Sequence, residues 1–152
     1  MRRSAAALTR EHNDATRLLD ELAGQADQLV TRARALPLPP GGRAWVRVAD
    51  SIDANAWLIV WRPGSATGRH DHGRSHGAIR VLRGSLIERY WPEENDGAGR
   101  IRLVRRGATM EVPRGRGHDV GNAGPGLAVS LHVYAPRLAR MNFYPDGVAL
   151  AG

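Results

Sequence analysis

The sequence predicts a mostly β protein, a small barrel or sandwich of short strands with a helical segment packed on its outside. Three observations predict it. Apolar residues recur at three- and four-residue steps from residue 8 to residue 36 and then stop. A break follows at Pro37-Leu38-Pro39-Pro40-Gly41-Gly42. Beyond it, short apolar runs alternate with turn residues, the mark of many strands at close spacing.

In the helical segment, Ala15, Leu18, Leu19, Leu22, Ala26, Leu29, Val30 and Ala33 follow helical spacing, and Arg17, Asp20, Gln25, Gln28 and Arg32 take the opposite face. Gly24 weakens a helix interior and is expected to divide the segment in two. An amphipathic helix must cover something, here one outer face of the strands. Strands are expected over 43–49, 55–62, 77–83, 85–91, 100–105, 108–112, 117–121, 127–134 and 139–144. Turns are expected at Pro63-Gly64, Asn95-Asp96-Gly97, Gly121-Asn122 and Gly124-Pro125-Gly126. The expected organisation is one structural domain, with a helical extension and linker over 1–42 and a barrel over 43–152.

Composition narrows the function classes. The chain has 152 residues and no cysteine, which excludes disulfide scaffolds, thiolate metal sites and cysteine nucleophiles. Any metal must be held by histidine or carboxylate. The net charge is +7, and every basic residue is Arg. These are scattered from Arg2 to Arg140, whereas nucleic-acid recognition needs a clustered patch. The charge instead favours a small anionic substrate, such as one bearing a carboxylate. Arg2-Arg3 and the short run Ala5-Ala6-Ala7-Leu8 give way to Glu11, His12, Asn13 and Asp14, too soon for a secretory leader. No stretch approaches the length of a membrane span. A cytoplasmic monomer is expected, with neither nucleic acid nor membrane as a partner.

Residues 64–84 read GSATGRHDHGRSHGAIRVLRG. His70 and His72 are one residue apart, so on a strand both imidazoles point to one face and can share a cation. The alternative is a pair of surface histidines beside Asp71. Gly64, His70, His72 and Gly84 resemble the first sequence motif of the cupin superfamily. In residues 107–122, GATMEVPRGRGHDVGN, the positions Gly107, Pro113, Gly115, His118 and Asn122 resemble the second. The resemblance implies a cupin barrel, or jelly roll, in which His118 is the third metal ligand. It also shows a departure. Gly77 stands where the first motif carries Glu, leaving three neutral histidines and no carboxylate. Imidazole sites suit Zn, Cu, Fe and Ni alike.

A third segment, AVSLHVYAP over 128–136, alternates Ser130, His132 and Tyr134 with Val129, Leu131 and Val133. A strand puts the polar trio on one face and the aliphatic trio on the other. Three buried polar groups need partners. A relay in which Ser130 orients His132 and His132 orients Tyr134 supplies them. The alternative is a polar set kept for packing.

Taken together, His70 to Gly77, Gly117 to Asn122 and Ala128 to Pro136 resemble bacterial cysteine dioxygenases of the cupin superfamily, over roughly residues 43 to 144. The resemblance implies an Fe(II) cofactor on His70, His72 and His118, and oxidation of L-cysteine by O2 to cysteine sulfinic acid. It implies catalytic roles for Ser130, His132 and Tyr134, with Tyr134 also touching substrate. It implies an Arg clamp for the substrate carboxylate. Arg47 falls at the matching place, and Arg43 is its rival. Gly77 also occupies the slot of the cysteine that mammalian members can link to the active-site tyrosine, so Tyr134 stays unmodified. His76 matches a family position and is expected at most to support the site. Two other readings stand beside this one. A 3-mercaptopropionate dioxygenase would have Gln at the Arg position, and no Gln lies between Gly42 and Trp61. A non-catalytic metal-binding cupin sensor would have no need of a tuned phenol.

Overall fold

A computed structural model describes residues 4–93 and 95–144, so the end of the expected 43–152 segment, residues 145–152, lies outside the described residues. Helix α1 spans Ala5–Ala23 and helix α2 spans Ala26–Arg34. The Ser4 side chain caps α1 by accepting from the Ala7 N–H at 3.3 Å. The divide falls at Gly24, whose N–H returns to the Asp20 carbonyl. Pro37, Pro39 and Pro40 then deny the chain helical hydrogen bonds.

Ten strands follow: β1 (Arg43–Asp50), β2 (Asn55–Trp61), β3 (His70–Asp71), β4 (His76–Arg83), β5 (Ser85–Trp91), β6 (Arg100–Arg105), β7 (Thr109–Val112), β8 (Gly117–Gly121), β9 (Ala128–Ala135) and β10 (Asn142–Phe143). They form two five-stranded antiparallel sheets, in the orders β1-β2-β9-β4-β7 and β10-β3-β8-β5-β6. The mostly β class predicted from the sequence is the class observed. Gly84 makes the tight passage from β4 to β5. Its φ is +71°, and a Cβ there would stand 3.0 Å from the Leu127 carbonyl oxygen.

Two expectations about strands change. The strand expected over 139–144 shrinks to the two residues of β10. The Asn55 side chain takes both backbone groups of Leu138, accepting from its N–H at 2.9 Å and donating to its carbonyl at 3.3 Å. This holds Leu138, just ahead of the expected strand, out of any ladder, and pairing with β3 begins only at Asn142. No strand is expected between 62 and 77, yet His70 and Asp71 form β3; His72, whose convergence with His70 is expected from strand alternation, lies just past it.

The middle strand of the first sheet, β9, is buried on both faces, while the edge strands β1 and β7 keep exposed residues. On the sheet's outer face Leu58, Val60, Val129, Leu131 and Val133 meet Ala15 and Leu19 of α1 and Leu29 and Ala33 of α2. The helices therefore cover an outer sheet face, as the amphipathic pattern requires. On its inner face Trp61, Ile79, Val81, Met110 and Val112 pack against Leu86, Val104 and Val120 of the second sheet. This inner cluster closes one end of the space between the sheets, and the polar residues of β9 occupy the other.

Leu19, 1% exposed, anchors α1 in this arrangement. Leu19→Ala should lower unfolding free energy by about 2–5 kcal/mol, read from urea titration. A loss below about 1 kcal/mol would mean that α1 is not docked as described.

Candidate metal centre

His70 comes from β3, His72 from the residue after it, and His118 from β8, where its Cα pairs with that of His70. Each is at most 2% exposed. The three rings are mutual neighbours, with centroids 4.6 to 4.9 Å apart. One nitrogen from each lies within 4.8 Å of the others. The His70 Nδ1–H donates to the Gly68 carbonyl at 2.8 Å, which leaves the Nε2 lone pair free and 3.2 Å from His72 Nε2. His118 Nδ1 faces Glu88 Oε1 at 3.3 Å, so its Nε2 also presents a lone pair. That Nε2 is buried without a hydrogen-bond partner among the described residues.

An orphaned buried nitrogen aimed among two other imidazoles is costly unless something binds there. A cation satisfies all three nitrogens at once, so the donor set fits a metal with imidazole preference. Burial, first, and the neighbouring histidines hold His72 and His118 well below the ordinary histidine value, with Arg102 and Arg116 adding to the effect at His118. Burial lowers His70 too, against the opposing Gly68 hydrogen bond. Neutral imidazole is the form that ligates.

Glu88 supports the centre, and sequence reasoning passed over it. Its carboxylate is wholly buried on β5, bridging His118 Nδ1 and the Nε–H of Arg102, the latter at 2.8 Å. Burial pushes its pKa up, and Arg102 pulls it back. A carboxylate behind a ligating imidazole fixes ring orientation and tautomer. The available signal was parity: Glu88 lies two residues from Leu86, on the inward face of a strand.

Strand β9 places Ser130, His132 and Tyr134 on the face opposite Val129, Leu131 and Val133. Ser130 Oγ lies 2.7 Å from His132 Nε2, and His132 Nδ1 lies 3.4 Å from the Tyr134 hydroxyl. Trp61, also unassigned from sequence, donates its Nε1–H to Ser130 Oγ at 2.9 Å. These contacts fix the proton order. Ser130 is fully buried, and His132 Nε2 is the one acceptor its hydroxyl proton meets among the described residues. Nε2 therefore accepts, Nδ1 carries the proton, and Nδ1–H donates to the Tyr134 oxygen. The Tyr134 O–H remains free to donate into the cavity. Burial, reinforced by His70 and Arg43, holds His132 down to about 3, so it stays neutral. Burial also raises the Tyr134 pKa, so the phenol keeps its proton.

A cavity of about 310 Å³ joins these groups. His70, His118, His132 and Tyr134 share its wall with Arg43, while Trp57, Ile59 and Leu138 make it apolar. Arg43 is the one cation in that wall among the described residues. Its Nη1 donates to the Ala66 carbonyl at 2.6 Å. Burial pulls its pKa down and Asp119 opposes the shift; a guanidinium still remains charged. Arg47 shares this face of β1, but four residues along a strand is about 13 Å. Its side chain is 52% exposed and pairs with Asp50 at 3.4 Å. His76 turns away from the centre, toward His12 on α1. Gly77 has a steric role: a Cβ there would stand 3.2 Å from the Tyr134 ring.

The model of the family described as Cysteine dioxygenase type I matches residues 30–146. Among solved structures, the chain is similar to an oxalate oxidase at 22% identity and TM-score 0.61, over 70% of this chain and 57% of that one. The chain thus spans a little over half the length of the oxalate oxidase. It is similar to a protein of Thermus thermophilus at 28% identity and TM-score 0.58, over 68% of this chain and 92% of that one. It is also similar to a Klebsiella pneumoniae protein with a double-stranded β-helix domain, at 18% identity and TM-score 0.61, over 74% and 93% of the two chains.

Two outcomes follow from this geometry. Glu88→Gln should weaken metal affinity about 10- to 100-fold, measured by competition with a chromophoric chelator. Unchanged affinity would remove Glu88 from the centre. The second concerns pH. Below about 6.5 the unfolded chain protonates its histidines, while His70, His72, His118 and His132 stay neutral in the fold. Stability of the metal-free protein is therefore complete above that pH. It is lost as pH falls toward the folded values, on the order of 1 kcal/mol per pH unit for each histidine. Urea titrations at pH 7.5 and 5.5 read this directly, and equal stabilities would contradict four neutral imidazoles.

Proposed function

We propose that this chain, which belongs to the cysteine dioxygenase type I family, is a thiol dioxygenase that oxidises L-cysteine at Fe(II) held by His70, His72 and His118. The observation that carries the proposal is the shared cavity. Metal-ligand candidates, a hydrogen-bonded phenol and a single guanidinium meet in one small, largely apolar space. The reaction consumes one thiol and one O2, and both oxygen atoms end on sulfur: RSH + O2 gives RSO2H. Bound iron would supply the redox chemistry with O2 and favour the thiolate form of the substrate.

The rest falls to the chain's own residues. Arg43 binds the substrate carboxylate, since a planar guanidinium fork matches a carboxylate in both charge and shape. This gives the clamp to the rival of Arg47, because Arg43 lies in the wall and Arg47 beyond it. Tyr134 donates its hydroxyl proton as a hydrogen bond toward the reacting sulfur and oxygen atoms. His132 and Ser130 hold that hydroxyl in the donating orientation, with Trp61 fixing the far end of the line. Trp57, Ile59 and Leu138 limit water around the reacting thiol. The wall has no carboxylate side chain among the described residues, and bound iron would supply a partner for the amine of cysteine.

The primary test is oxygen uptake by anaerobically Fe(II)-loaded protein with L-cysteine and, in parallel, 3-mercaptopropionate. Uptake with cysteine and a product heavier by two oxygen atoms is expected. Uptake with 3-mercaptopropionate alone would overturn the substrate, and uptake with neither would leave a metal-binding cupin. Arg43→Gln should raise KM for cysteine about tenfold or more, while Arg47→Gln should stay within about twofold. The opposite pattern would return the clamp to Arg47. Tyr134→Phe should lower kcat at least about tenfold with iron retained; an unchanged kcat would end its catalytic role.

A further inference from the structure

A second group of donor atoms lies on the other side of β4. His76 opens that strand, and Gly77 beside it faces inward to Tyr134. Side chains alternate along a strand, so His76 and Ala78 face outward, away from the cavity. Ala78 pairs with Glu111 on β7, which sets the Glu111 carboxylate diagonally across from His76 on the outer face. Helix α1 crosses this face and lowers His12 onto both. His12 Nδ1 lies 3.3 Å from His76 Nε2 and 3.5 Å from Glu111 Oε1. One ligand atom from each of the three lies within 4.8 Å of the others. The two rings stand edge to face, 82° apart.

Hydrogen bonding alone accounts poorly for this arrangement. One proton on His12 Nδ1 serves either the carboxylate or the His76 nitrogen. A metal ion between them serves all three donor atoms together. The spacing suits it: bonds of about 2.0–2.1 Å at a tetrahedral centre place neighbouring donors about 3.3–3.4 Å apart. The donor set, two imidazoles and one carboxylate, selects borderline transition ions such as Zn(II) over Mg(II) or Ca(II). His12 and Glu111 are 41% and 48% exposed, so solvent has access to complete the coordination.

We infer that His12, His76 and Glu111 form a second metal site, for a divalent ion of the Zn(II) class, that fastens helix α1 to strands β4 and β7. His12 and His76 are 64 residues apart in the chain. An ion bound between them stabilises only the folded arrangement, in which α1 is docked. The site is independent of thiol oxidation, since none of its residues lines the cavity.

The test uses the full metal-free chain titrated with Zn(II) against a chromophoric chelator, with thermal unfolding as the second readout. The parent should bind two equivalents per chain, and His12→Ala should bind one. Ala is a good helix former and His12 is partly exposed, so this variant should fold. Glu111→Gln should weaken the second equivalent about tenfold or more. Excess Zn(II) should raise Tm further in the parent than in His12→Ala. Two equivalents retained by His12→Ala, with an equal rise in Tm, would overturn the inference. So would a single parental equivalent that His118→Ala loses and His12→Ala keeps. A single equivalent lost in His12→Ala and kept in His118→Ala would instead support this site and count against the buried one.

Discussion

Strand β9 must satisfy two opposite environments at once, and the rest of the molecule depends on that. It lies in the middle of the first sheet, between β2 and β4, and every one of its residues is buried. Val129, Leu131 and Val133 are dry because α1 and α2 cover them. Ser130, His132 and Tyr134 are dry because the second sheet and the cavity wall enclose them. A buried polar face is tolerable only when its groups pair with one another, and the Trp61–Ser130–His132–Tyr134 line provides that pairing. The outer helices therefore contribute to the site without touching it. They bury the aliphatic face that holds the polar face in position.

The same desolvation governs the metal centre. Three imidazoles packed in a dry space stay neutral, because burial disfavours the charged form of each. Neutrality leaves their lone pairs available for a cation. A negative charge stands one layer back, on Glu88, and Arg102 neutralises it in turn. Asp71, between His70 and His72, serves the backbone and the chain's far end. It accepts from the Gly73 N–H, the Asn142 amide and the Tyr144 hydroxyl. Burial pushes its pKa up, and these hydrogen bonds outweigh it and hold the carboxylate below the usual range. The strand that carries His70 is thereby tied to β10.

Gly77 shows how local and distant requirements meet. No side chain there reaches the metal, and its missing Cβ is what lets the Tyr134 ring lie against β4. Its neighbours His76 and Ala78 face the other way, toward α1. One strand thus gives its inner face to the phenol and its outer face to the helix.

What the sequence determined by itself is what depends on periodicity and local spacing. The helical period of 8–36, its break at Gly24, most of the strand positions and the two-faced character of β9 are properties of neighbouring residues. So is the one-residue gap that lets His70 and His72 converge. Only the tertiary structure decided what depends on register between distant strands. Arg43 and Arg47 share a face of β1, and alternation cannot tell them apart. Arg43 pairs with Trp61 and reaches the cavity wall, whereas Arg47 pairs with Trp57, itself a wall residue, yet turns its side chain out to Asp50. Glu88 carries an inward parity in the sequence, yet its partners, His118 and Arg102, are fixed by β5 pairing with β8 on one side and β6 on the other. His12 meets His76 and Glu111 only because α1 docks across the sheet. A face is a local property of a chain; a neighbour across a sheet is set by how distant segments pair and pack.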